Sequence, residues 1–451
     1  MSVNFQGGNR KQLFLLPPSV DDWLPDDHLA RFVVEIVEQL DISSITNEYG
    51  GRGSTAYSPG MMVALLFYSY ATGVFSSRKI ERGTYESVAL RYIAGNTHPD
   101  HDTIATFRRR FLPHLKGLFI QILQIAHAMK LLRLGAVSLD GTKIKANASK
   151  HKALSYGHAS KFEQQLEQEI NALLRMAEQT DVTDLPDGMS IPEEISRREE
   201  RLAAIKKAKA EIESRAAARY AEEQKTYTEK LAKREENAKK NGKKPSGKPP
   251  APPTAGPAAK DQVNLTDEES RIMPVSGGGF DQCYNAQAGV DTASQLIVCC
   301  HVSQRPNDKQ EVQPAVTELK KLCRGMGEIT AILADSGYFS AGNCALAEDA
   351  KMTPYIAIGR EQHNQTLADR FSEPAPIAAP TQQAIMCQRL RTKLGKVMYA
   401  ARKSTIEPVF GIIKHVMGFR QFSLRGHERV AGEWDLVSIA WNIKRMYALA
   451  K

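Results

Sequence analysis

Long apolar runs are missing from this chain of 451 residues. Its most apolar stretch, 61–71, is interrupted by Ser69 and falls far short of the ~20 apolar residues that a membrane span needs. The opening MSVNFQGGNRKQLF lacks the apolar core of a secretory leader. Cysteine is scarce: Cys283, Cys299, Cys300, Cys323, Cys344 and Cys387 all lie in the second half, with no C-x-x-C pair and no histidine cluster at zinc spacing. These read as reduced core thiols of a cytoplasmic protein rather than a disulfide framework. A phosphate loop of the G-x-x-x-x-G-K-[S/T] type is also missing, so no nucleotide cofactor is expected. Acidic excess is absent: 60 Lys+Arg against 51 Asp+Glu give +9 and a pI near 9.1, a balance that favours a polyanionic partner such as nucleic acid. At 42% hydrophobic the chain can bury a sizeable core, and at roughly 150 residues per domain it has room for about three domains, or two and a long insertion.

Composition divides the chain into four regions. Residues 1–132 are helical in pattern. The run 61–74 reads as a buried helix behind Pro59-Gly60, and a second helix is expected over 77–93. In HPDHDTIATFRRRF, Asp102 or Thr103 is placed to cap a helix that carries Ile104, Phe107 and Phe111 on one face and Arg108, Arg109 and Arg110 at its end. Short helices with tight turns and such an arginine cluster suit DNA binding, and equally suit a plain bundle with a solvated face. Residues 133–158 turn to strand texture in GAVSLDGTKIKAN, with Asp140 at a turn-prone Asp-Gly.

Residues 159–260 interrupt that texture. Phe162, Leu166, Ile170, Leu173 and Ala177 recur at helical spacing. A charge-rich helix is expected over 191–237, with only a thin apolar stripe of Leu202, Ile205 and Ile212, as in an exposed hairpin or short coiled coil. The stretch 241–260 holds six prolines and three glycines, the composition of an extended or disordered linker. Residues 261–451 resume as strands in FDQCYNAQAGVDT, QLIVCCHVSQ, EITAILADSGYF and TPYIAIGR. Helices lie between and after them, one starting at Asn307 or Asp308 as cap, and a long final helical region carries Glu407. The order predicts an α/β fold: a mixed sheet with helices on both faces.

Three carboxylates stand out by position. Asp140 lies on the first strand, Asp335 at the end of the strand in ILADSGYF, and Glu407 on a helix in STIEPVFGIIK. Acids at neighbouring strand ends and on a flanking helix can converge on hard divalent cations, which take oxygen ligands and keep several waters. Two such ions suit phosphodiester chemistry. Glu407 is also the one acid between Gln388 and Arg425 among nine Lys/Arg, which fits a metal ligand beside a phosphate-binding track. Tyr399, Arg402 and Lys414 lie near it in sequence.

These blocks resemble bacterial insertion-sequence DDE transposases, and within them the group often called eleven-eighty-two. SLDGTKIKANASK resembles the first-Asp block, GFDQCYNAQAGVD the second-strand block and ILADSGYF the second-Asp block. The stretch from YAARKSTIEPVFGIIK onward resembles the Tyr-Arg-Glu-Lys block with its C-terminal helix, and residues 15–111 the helical DNA-binding domain in front. One departure stands in the signature: Arg402 has four residues before Glu407 where three are usual, and Lys403 has three.

The resemblance implies an RNase-H-like mixed five-stranded sheet with flanking helices, interrupted by a helical insertion and preceded by an all-α DNA-binding domain. It implies Asp140, Asp335 and Glu407 as catalytic metal ligands for Mg²⁺ or Mn²⁺. Tyr399, Arg402 or Lys403, and Lys414 are implied as DNA contacts beside them, with Arg108, Arg109 and Arg110 in the N-terminal domain. The implied activity is cleavage at element ends and strand transfer into target DNA, by a homodimer acting at the nucleoid. A metal-dependent nuclease of the same fold, or a DNA-binding derivative without catalysis, are the alternatives.

Overall fold

The structure, a computed structural model, describes residues 19–50, 56–179, 191–241, 248–275, 277–359 and 381–451. The chain forms two compact units, one of Met1–Ile144 with Tyr284–Lys451 and one of Lys145–Cys283.

The larger unit opens with helices α1 (Leu29–Glu38), α2 (Ser43–Thr46), α3 (Pro59–Ala71), α4 (Ser77–Glu86), α5 (Val88–Ile93), α6 (His101–Phe111) and α7 (Leu115–Ala128). Pro59 suits the first turn of α3, where its missing N–H is not needed. Every residue from Met62 to Ala71 is buried, so α3 is a core helix. The single helix expected over 77–93 breaks at Ser87, whose backbone is extended. The break lets Leu90 fold back against Gly83, where a β-carbon would collide with it. Helix α6 begins two to three residues earlier than expected, because Asp100 is its cap and its Oδ1 accepts the Thr103 N–H at 2.8 Å. Strand β1 (Ala136–Lys145) then runs straight through Asp140–Gly141, which is not a turn.

The smaller unit stands on a short antiparallel ladder of β2 (Ala153–Ser155) and β3 (Gln262–Asn264), with Leu154 opposite Val263. Helix α8 (Tyr156–Gln179) leaves that ladder and α9 (Ile191–Asn241) returns antiparallel to it. Ion pairs Arg198–Glu169 and Lys206–Glu167, at 3.0 and 2.9 Å, mark the crossing. Leu166, Ile205, Ala208 and Ile212 meet Leu154 and Val263 in one small core. That core explains why the unit is wider than the 159–260 insertion read from composition: the residues flanking the insertion are its floor. Strand β4 (Arg271–Pro274) pairs antiparallel with residues 280–283. The Pro-rich stretch is not a free linker where it is described. Arg234 donates to the Lys248 carbonyl at 2.8 Å and Arg219 pairs with Asp261 at 2.9 Å, so residues 248–261 return along α9. Residues 242–247 lie outside the described residues.

Back in the larger unit, β5 (Phe280–Asp291), β6 (Ile297–Ser303), β7 (Ala331–Ala334) and β8 (Thr353–Ile356) complete the sheet with β1. The sheet has six strands in the order β4-β5-β1-β7-β8, with β6 also paired to β5. β6 lies antiparallel to β5, while β7 is parallel to both β1 and β8. The expected five strands are thus joined by a sixth, β4, which adds to the start of β5; the mixed sheet, with helices around it, is consistent with an RNase-H-like fold. Flanking it are α10 (Val312–Met326), α11 (Ala341–Asp349), α12 (Gln382–Arg391), α13 (Lys393–Gly411) and α14 (His427–Ala450). Helix α14 packs on β6 and also on α3 and α7, so it is buried on nearly all sides and gives the N-terminal helices and the sheet one shared core. No helix among the described residues is long and apolar enough to cross a membrane.

The smaller unit's separate core makes a prediction. Ile205→Ala removes buried methyl groups and is expected to cost that unit about 2–5 kcal/mol. Trp23, Trp434 and Trp441 all lie in the larger unit, so tryptophan fluorescence follows that unit alone while far-UV circular dichroism follows both. The early part of the circular dichroism transition should shift and the fluorescence transition should not; a common shift would show a single cooperative unit.

Candidate active site

Strand register brings the two aspartates together. In the parallel pair of β1 and β7, Ser138 stands opposite Leu333, and two residues further along each chain are Asp140 and Asp335. Period-two alternation then turns both side chains to the same face. Asp140 Oδ1 accepts the Gly141 N–H at 2.8 Å, and Asp335 Oδ1 accepts the Gly337 N–H at 2.8 Å, capping the short turn Ser336–Tyr338. Glu407 comes from α13, which is seated on the sheet by Met398 and Ala401 against Ala331, Leu333 and Tyr355.

Arg402 joins the helix to the strand. Its Nη2 lies 2.8 Å from Asp140 Oδ2 and its Nη1 3.2 Å from Glu407 Oε1. The guanidinium is buried, Asp140 is mostly buried and Glu407 is about half exposed. Burial pushes the Asp140 carboxyl up to about 6; Arg402 opposes this, the negative charges of Asp335 and Asp308 add to it, and the Gly141 N–H pulls it back. Burial raises the carboxyl because the charged form loses water, and nearby like charge has the same sign of effect.

The other sequence-derived residues divide by environment. Lys403, next to Arg402, is exposed, and Tyr399 lies half-buried one turn before Arg402. Lys414, on the π-helical turn Ile412–Val416, donates to the Lys143 carbonyl of β1 at 3.2 Å. Arg108 points inward, donating to Tyr70 Oη at 3.0 Å and to the Phe75 carbonyl at 2.9 Å. Arg109 is exposed, and Arg110 is exposed but paired with Glu48 at 2.9 Å.

A polar cluster beneath the aspartates is less visible in the sequence. Asp308, read there as a helix cap, does not cap: α10 begins at Val312 behind Glu311. Its Oδ1 instead accepts from Asn285 Nδ2 and Gln287 Nε2, each at 2.7 Å, and from Lys143 Nζ at 3.4 Å. Gln287 Oε1 in turn accepts the Tyr338 hydroxyl. The one available signal was the hydrophilic pair in NAQ, two polar amides facing inward from an otherwise buried strand.

The donor set tests whether a divalent cation fits. Asp140, Asp335 and Glu407 offer hard carboxylate oxygens, with crowded negative charge on Asp140, and a small hard cation satisfied partly by water needs no more than two of them at once. Among the described residues, no three His, Cys, Asp or Glu side chains already stand together as a metal cage. The chemistry of the donors therefore fits a hard cation held by few protein ligands.

Two family models match the chain. The Transposase domain (DUF772) matches residues 18–110, the helical region. The Transposase DDE domain matches residues 261–443, which contain Asp335 and Glu407 and begin after Asp140. No curated protein and no solved structure matches the chain. The two matched domains, one following the other along the chain, indicate a DDE-type transposase.

Proposed function

We propose that the chain cuts DNA at the ends of an insertion sequence and transfers the freed 3′ ends into target DNA. The observation that carries this reading is the β1–β7 register, which sets Asp140 beside Asp335, with Arg402 tying Asp140 to Glu407. Asp140, Asp335 and Glu407 are the residues that would hold Mg²⁺ or Mn²⁺. When bound, such an ion supplies Lewis acidity and charge neutralisation at the scissile phosphate.

The chain's own residues do the remaining work. Asp140 gives up its proton before it can serve as a ligand, so its elevated pKa couples cation binding to pH. Arg402 keeps a positive charge between Asp140 and Glu407 and so offsets their repulsion. Lys403 and Tyr399 on the exposed side of α13, Lys414 beyond it, and Arg109 on α6 are proposed to hold the DNA backbone. Phosphate contacts of this kind fix register and orientation without reading sequence. We read α13 and the turn after it as the Tyr-Arg-Glu-Lys segment, with Arg402 turned toward the acids and Lys403 toward solvent. Joining two ends in one complex calls for a homodimer.

Asp140→Ala, Asp335→Ala and Glu407→Ala are each expected to lower cleavage of end DNA by on the order of 10³-fold while gel-shift affinity stays nearly unchanged. Cleavage retained in any one variant removes that residue from the site. Cleavage without joining, in the unaltered protein, would favour a nuclease of the same fold.

The raised Asp140 pKa also has a stability consequence with a definite sign. A carboxyl whose folded pKa lies near 6 favours the fold while protonated, and that contribution is lost as pH rises through 6. Asp140→Asn is therefore expected to stabilise the metal-free protein at pH 8 by about 2–3 kcal/mol and to change little at pH 4. Denaturant melts in chelator at the two pH values check it. A variant less stable than the parent at pH 8 would show that the Arg402 pair outweighs the desolvation of Asp140.

A further inference from the structure

Two of the acids proposed to hold the cation, Asp140 within β1 and Asp335 at the end of β7, lie on separate segments that both rest on one polar cluster. On the β1 side, Gly141 packs directly against that cluster. A β-carbon there would lie 2.7 Å from Asp308 Oδ1 and 2.8 Å from Asn285 Oδ1, and closer still to Gln287 Nε2. On the β7 side, Tyr338, three residues after Asp335, donates its hydroxyl to Gln287 Oε1. Gln287 is itself pinned from below, where Trp434 Nε1 donates to its carbonyl at 2.9 Å.

Asp308 is the centre of this arrangement. A single oxygen, Oδ1, takes Asn285 Nδ2 and Gln287 Nε2 at 2.7 Å and faces Lys143 Nζ at 3.4 Å. Asn285 spends its amide hydrogens on Asp308 and on the Arg305 carbonyl at 3.1 Å. Its own Oδ1 is left buried without a donor among the described residues. A fully buried amide that gives up one partner to keep another is held by something stronger than its own preference, and the carboxylate is that partner. Gln287, oriented by Asp308, then offers its Oε1 to Tyr338. Asp308 thus fixes two amides, one of which bears on Gly141 and the other on both Gly141 and Tyr338.

We infer that Asp308 is a positioning residue: acting through Asn285 and Gln287, it locks the Asp140–Gly141 and Asp335–Tyr338 segments in mutual register. Its influence on cutting rests on the proposed reaction, whereas its influence on the two segments does not. The hydrogen bonds of Asp308 run to Asn285, Gln287 and Lys143. Its role depends on an acceptor oxygen at that place, not on a second negative charge. An asparagine offers the same oxygen to the two amides; an alanine offers none.

Two variants and two readouts test this. Hydrogen–deuterium exchange, in the absence of DNA and metal, is followed in peptides covering 138–145 and 334–340. Cleavage of end DNA is followed with Mg²⁺ to separate kcat from KM. Asp308→Ala should speed exchange in both peptides while the rest of the chain exchanges as before. It should lower kcat by about 10²-fold, the cost of misplacing reacting groups by roughly 1 Å, with KM for DNA unchanged. Asp308→Asn should restore slow exchange and most of kcat. Asp308→Asn behaving like Asp308→Ala would show that the charge itself is required and would overturn the inference. Exchange unchanged in both peptides, or accelerated throughout the molecule, would overturn it as well. Because exchange is read without DNA, an absence of cutting in the unaltered protein would count against the transposition reading and leave the positioning test intact.

Discussion

Negative charge is crowded around Asp140, and Arg402 is what offsets it. Asp140 is mostly buried and lies in the field of Asp335 and Asp308, so its ionised form is disfavoured from two directions. The buried guanidinium answers with charge-assisted bonds to Asp140 and Glu407, which are stronger than neutral ones. That bridge is also what ties α13 to β1 across the site. A buried group of this kind is costly to leave unpaired, so helix and strand are held together by a need that neither can meet alone. A site that concentrates like charge is less stable than it could be, and the strain is of the sort that proteins carry at functional positions.

The second constraint is the central helix α14. It packs on β6 and on α3 and α7, and its buried polar side chains are committed in both directions. Glu433 accepts the Tyr70 hydroxyl of α3 at 3.2 Å and the Ser423 and Leu424 N–H groups at 2.9 and 3.1 Å. Asn442 pairs with the backbone of Ile297 on β6 through both its oxygen and its nitrogen, at 2.8 Å each. Trp434 reaches the Gln287 carbonyl beneath the aspartates. The helical region and the site therefore share a core, and Arg108, which looks like a surface arginine in sequence, is drawn into that core by Tyr70 and Phe75.

Much of this was legible before the structure. The apolar runs of β1, β5, β6 and β7 mark buried strands, and the two aspartates fall where those runs meet polar residues. Glu407 stands out against the basic segment around it. What was hidden depends on tertiary packing. Asp308 looks like a helix cap because Asp before a helical pattern usually is one; only the arrival of Asn285 and Gln287 from a distant strand makes it the hub of a polar cluster. The Asp-Gly pair at Asp140 has a turn signature, yet glycine is there because the cluster leaves no room for a β-carbon. The direction of Arg402 was ambiguous in sequence because its spacing from Glu407 is irregular, and the side chain settles between the two acids. The smaller unit extends beyond the charge-rich region because Leu154 and Val263 form the floor of its core.

We propose that Asp140 and Asp335, held level by strand register and joined to Glu407 through Arg402, form a divalent-cation site. Anomalous scattering from crystals of the protein grown with Mn²⁺ and end DNA tests it most directly. An anomalous peak is expected at the carboxylates of Asp140 and Asp335, with the Arg402 guanidinium drawn away from Asp140. A peak confined to other residues, with Arg402 still bridging Asp140 and Glu407, would contradict it.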